Sequence, residues 1–151
     1  MKFLPCLLII LFMSCNCYKG KSQSNSDQQT PQLTLLMTDP YGGGEQQEIL
    51  LIENQKALKA FFAKVNRTRK PGLQVPEVDF EKDMVIIYFS GQTTQEELPL
   101  LSVEELKDEQ LLISVSEREA LKESSTNTAV LEPFGLYTMA KTDKKVLLQK
   151  Q

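Results

Sequence analysis

Between Asp83 and Ser90 the chain runs through six apolar residues without a break, Met84 to Phe89. Both parities of the run are filled, which predicts a strand buried on both faces rather than one with a wet side. The other elements can be placed around it. Ahead of it, Leu58, Phe61, Phe62 and Val65 recur at i, i+3, i+4 and i+7. That spacing predicts an amphipathic helix ending near Asn66, with Lys56, Lys59 and Lys64 off the stripe and Asn54 placed to cap the first turn. Earlier, Leu33 to Thr38 reads as a first strand, and Glu45 to Ile52 as its hairpin partner across the loop Asp39-Pro40-Tyr41-Gly42-Gly43-Gly44.

Behind the central run, Leu98 to Leu106 and Gln110 to Glu117 predict a second hairpin around Lys107-Asp108-Glu109. In its second arm Leu111, Ile113 and Val115 share one face while Ser114 and Ser116 share the other, as in a strand with one wet side. Arg118 to Asn127 is polar and reads as a loop. Ala129 to Ala140 and Lys145 to Gln149 read as a closing hairpin. The fold class that follows is α+β: a mostly antiparallel sheet of six to seven strands, open or curled into a partial barrel, with one packed amphipathic helix. No internal repeat is present.

The first 32 residues follow a different rule. Lys2 precedes an apolar stretch of 11 residues, Phe3 to Met13, too short for the roughly 20 that a membrane span needs and suited to a secretory signal. Ser14 before Cys15 resembles the cleavage site of a bacterial lipoprotein signal, in which the cysteine becomes the new N-terminus and carries the lipid. Phe12 stands where that pattern usually has Leu. Cys15 is therefore the expected lipid attachment site, with Cys17, behind the bulkier Asn16, as the alternative. An ordinary secretory peptide cut near Ser14 is the other reading of the same stretch. Residues 15–32 are rich in Ser, Gln, Asn and Lys and cannot bury enough surface to offset their ordering entropy, so they read as a disordered tether. A coil of that length reaches roughly 20–25 Å. The domain proper is expected over 33–151, hanging off an envelope membrane, the outer one by preference, in the periplasm or at the cell surface.

Composition narrows the chemistry. The chain has no histidine, and its three cysteines all precede Tyr18, so the folded part lacks the usual general bases, thiol nucleophiles and zinc ligands. Losing Lys2 with the signal leaves 16 basic against 20 acidic residues, a formal −4, which argues against a nucleic-acid partner. No cofactor and no metal is expected. Ser90-Gly91 ends the central strand without the glycine pattern of a nucleophile elbow. Asp79, Glu81 and Asp83 would share one side of an extended chain and could suit a hard cation, but they read first as charges flanking an apolar strand. Glu96-Glu97 and Glu104-Glu105 are adjacent pairs that point apart in a strand. Gly42 to Gly44 lack the Lys and helix of a phosphate loop. Arg67, Arg69 and Lys70 read as a solvated cap at the helix C-terminus.

Pro76-Glu77-Val78-Asp79-Phe80, followed by Lys82-Asp83-Met84-Val85-Ile86 and Gly91, and later Pro133-Phe134, Tyr137 and Lys141, resemble the words and order of the protease-complex subunit PrcB family, in its C-terminal-domain-like members. The resemblance covers Leu33 to Gln149. Where that family carries Thr-Gly-Gly-Tyr or a similar turn, this chain has Thr93-Thr94-Gln95-Glu96-Glu97. The resemblance implies a cell-envelope lipoprotein, anchored to the membrane through its N-terminal lipid, that supports another envelope protein such as a protease and performs no catalysis. Two other classes stay open on the residues alone: a small-molecule or lipid binder with its pocket in a partial barrel, and a hydrolase using Ser90 or the carboxylates of Asp79 to Asp83.

Overall fold

The computed structural model describes residues 31–106, 109–116 and 129–149. Seven strands and one α-helix follow in the order β1 (Thr34–Asp39), β2 (Gln47–Ile52), α1 (Gln55–Val65), β3 (Asp83–Ser90), β4 (Leu100–Leu106), β5 (Gln110–Ser116), β6 (Phe134–Ala140) and β7 (Lys145–Leu148), with a short 3₁₀ turn at Asn66–Thr68. The architecture is α+β, as the patterning implies. The strands form two sheets and no closed barrel: four strands in the order β1-β6-β3-β2, and three in the order β4-β5-β7.

The two-sided burial of β3 explains the layers. Val85, Ile87 and Phe89 point to one face, where they meet Leu58, Phe61, Phe62 and Val65 of α1 together with Phe134 and Leu136 of β6. Met84, Ile86 and Tyr88 point to the other, where Leu111, Ile113 and Val115 of β5 cover them. Helix, four-stranded sheet and three-stranded sheet thus stack in three layers, and β3 is the middle of the middle layer. A turn at Asp79 launches it. The Asp79 backbone carbonyl accepts from the amides of Lys82 and Asp83 at 3.0 and 2.8 Å, and its side chain accepts from the Glu81 amide at 3.1 Å.

Two expected hairpins do not form. β2 pairs with β3, and β1 pairs with β6. A strand as apolar as β3 gains most when both its edges are covered, so it takes the centre and pushes β1 and β2 to opposite rims, where their Leu35, Leu36, Leu50 and Leu51 remain exposed. The closing hairpin fails for a related reason. Both edges of β6 are taken by β1 and β3, so β7 crosses to the second sheet and runs parallel to β5, Leu111 opposite Val146 and Ile113 opposite Leu148. The β4–β5 hairpin does form, with Val103 opposite Ile113. The polar stretch 118–127 lies outside the described residues.

In β1 an irregularity between Leu35 and Met37 inserts one residue. Without it Leu33 and Met37 would share a face; with it Leu33 packs toward the second sheet and Met37 toward the helix. α1 begins as expected, the Asn54 side chain accepting from the Ala57 amide at 2.9 Å. Asn54→Ala should cost about 1 kcal/mol of stability in a denaturant melt. Beyond the helix, Asn66 binds Leu73 twice: its Nδ2 donates to the Leu73 carbonyl and its Oδ1 accepts from the Leu73 amide, at 2.8 and 2.7 Å. This clamp folds the chain back under the helix, so that Leu73, Val75, Val78 and Phe80 close the helix-side core.

Candidate functional site

Cys15 and Cys17 lie outside the described residues, as does the whole of 1–30. The described candidates do not converge. Asp79 and Glu81 belong to the turn before β3 and Asp83 is the first residue of the strand, so the three do not form one extended run. Asp79 instead bonds Lys82 at 2.8 Å. That hydrogen bond, and next the Glu81 amide, hold its carboxyl below the usual aspartate range. The contribution is present above that range and is lost as pH falls through the folded-state value. Among the described residues no three His, Cys, Asp or Glu side chains gather closely enough to hold a metal ion. Ser90 stands at the end of β3 with its amide bonded to the Pro133 carbonyl at 3.0 Å. Glu105 is paired with Lys144 across the β4 rim.

The glycine stretch is a loop, as its composition implies, and of the cations after the helix Arg67 and Lys70 are exposed while Arg69 is not. Gly43 donates to the Glu132 carbonyl at 2.9 Å, and a Cβ there would stand 2.6 Å from that oxygen. The loop is therefore held at a close backbone crossing. Arg69 is no solvated cap. Its Nη1 and Nη2 reach Asp39 at 2.7 and 2.5 Å, and Nη2 also reaches the Tyr41 carbonyl at 2.6 Å. These bonds to Asp39 raise its affinity for the proton above that of a free guanidinium. A raised group contributes its stability below the unfolded value and loses it only in strong alkali, so this clasp is constant across the neutral range.

The clasp ties the end of β1 to the segment that follows α1, beside a concavity along the helix. α1 starts three residues after β2 ends and runs back along it, so that the helix C-terminus meets the glycine loop; a Cβ on Gly42 would stand 3.1 Å from Val65 Cγ1. Between them lies an open groove of about 570 Å³. Leu50 and Ile52 of β2 form one wall, Ala57, Ala60 and Phe61 of α1 the other, and Phe89 lies beneath. Lys64 and Arg67 stand at the loop end, with the Glu48 carboxylate nearby.

No family model, curated protein or solved structure matches this chain. The groove must be judged on its own chemistry. Its walls are apolar, its outer rim is the unpaired edge of β2, and no titratable side chains converge within it beyond the cations and single carboxylate named above. Sequence pattern alone does not reveal it, since which edge of β2 stays open depends on the order of strands in the sheet. Two signals in the sequence do mark it. Ile49 to Ile52 is apolar in both parities, more than a rim strand needs, and Ala57 and Ala60 put small side chains on the helix flank that faces it.

Proposed function

We propose that the protein is a lipid-anchored component of the bacterial envelope, attached through Cys15, that works by holding another protein and performs no chemistry of its own. The observation that carries this reading is the open flank between α1 and β2. Leu50 and Leu51 are 42% and 38% exposed on adjacent positions of an edge strand, one toward each face, which is costly unless another surface covers them. Backbone groups on that edge add unmet donors and acceptors, a combination that suits protein contact better than catalysis. The words shared with the protease-complex subunit family support an envelope protease as the partner. Where a partial barrel would need a ligand cavity, side chains from both sheets meet: Met84, Ile86 and Met139 against Leu111 and Ile113.

Crosslinking in intact membranes followed by isolation of the acylated protein tests this. The same companion should recur in repeat preparations. Cys15→Ser, which removes the acyl acceptor, should release the protein to the soluble fraction and cut recovery of that companion at least tenfold. A wild-type protein that stays unacylated and soluble, or that turns over a substrate when pure, would overturn the reading.

A further inference from the structure

Charge is segregated in this chain. From Asn54 to Val75 there are six cations, Lys56, Lys59, Lys64, Arg67, Arg69 and Lys70, and no acid, in a protein whose formal net charge is −3. Arg69 is consumed by Asp39. Lys64 and Arg67 line the groove and make no ion pair among the described residues. Beside them, β2 offers six residues of open edge, about 20 Å of strand. On such an edge alternate residues turn both N–H and C=O outward.

We infer that this flank binds an extended, acidic segment of the partner protein, added to β2 as a fifth strand of the larger sheet. The inference rests on the proposed function and names what the partner must present. Main-chain hydrogen bonds to β2 supply register without reading sequence, and alternate side chains of the incoming strand fall into the apolar groove against Leu50, Ala60 and Phe61. Acidic residues on that same face, where the incoming strand passes the loop end of the groove, meet Lys64 and Arg67, whose two charges outweigh the single Glu48 carboxylate and the partial negative end of the helix. That electrostatic share sets specificity and on-rate more than affinity, so binding should weaken with salt. A second copy of the chain would bring the same cations and fits less well.

The test uses the full-length protein in detergent with two equimolar octapeptide libraries, in which the four central residues alternate Val, Leu, Ile or Phe with Thr and the two residues at each end are all Glu or all Lys, so that a charge falls on the groove face at either end. The Glu library should bind saturably, shift the amide resonances of β2 and α1, and exceed the Lys library at least tenfold. Lys64→Glu with Arg67→Glu, both exposed and expected to lower the melting temperature by only a few degrees through the helix dipole, should reverse that preference. Replacing the apolar residues of the Glu library with Pro, which cannot join a ladder, should abolish binding. Equal binding of the two libraries, an unchanged preference in the charge-reversed protein, shifts confined to the second sheet, no saturable binding up to about 1 mM, or a dimer joined through β2 would each overturn the inference. Failure of Cys15 acylation would instead count against the anchoring alone and leave this site standing.

Discussion

Phe62→Ala is expected to lower stability by about 3–5 kcal/mol, a large share of the roughly 5–15 kcal/mol that holds a domain of this size together. Phe62 is 1% exposed and lies edge-on to Phe61, with ring centroids 5.5 Å apart. Phe61 in turn packs edge-on against Phe134 at 5.4 Å. Among the described residues α1 is the one helix on its face of the sheet, with the returning segment 73–80 beside it, so none of them forms a second helix that could fill the space. A cavity should therefore persist and add to the lost transfer energy. The melting temperature should fall by roughly 10–20 °C. A drop of under about 1 kcal/mol would mean that α1 does not seal this core. Leu35→Ala, on the β1 rim and half exposed, serves as the control and should cost little.

Asp39→Ala is the second large effect, at about 2–3 kcal/mol, below the usual loss for a broken buried pair because some water reaches this one. The side chains of Arg69 and Asp39 are 20% and 12% exposed. Removing Asp39 leaves a half-hidden guanidinium with only the Tyr41 carbonyl, and it also removes the acceptor for the Tyr41 amide at 2.8 Å. Replacing both partners, Asp39→Leu with Arg69→Met, should cost less than Asp39→Ala alone, since no stranded charge remains. A double variant as unstable as the sum of its parts would show that the two residues act separately. By contrast, Lys82→Ala, which removes only the exposed pair with Asp79, should leave the midpoint nearly unmoved.

Local periodicity carried the individual elements well. The stripe Leu58, Phe61, Phe62, Val65 is buried as its spacing implies, Asn54 caps the helix, and the alternation of Leu111, Ile113 and Val115 divides a covered face from a wetter one. Pairing was less legible, because it depends on competition among strands rather than on any one of them. Nothing within Leu33 to Ile52 says that β3 will claim β2 for one edge and β6 for the other. Nothing near Lys145 says that β6 has no edge left to offer β7. The flank between α1 and β2 inherits that difficulty. Its residues are ordinary core and rim types, and they become a site only once β2 is known to be an edge. Arg69 was misread for the same reason: its carboxylate lies 30 residues away, brought near by the sheet order rather than by the helix end it follows.

The account depends most on the claim that this body works by holding another protein across the open edge of β2. Photo-crosslinking in intact membranes tests that most directly, with p-benzoylphenylalanine in place of Leu50 and, separately, in place of Glu104 on the exposed rim of the second sheet. The account predicts one recurring protein adduct from position 50, lost when Lys64 and Arg67 are changed to Glu, and none of comparable yield from position 104. Equal adducts from both positions, or adducts to lipid alone from position 50, would contradict it.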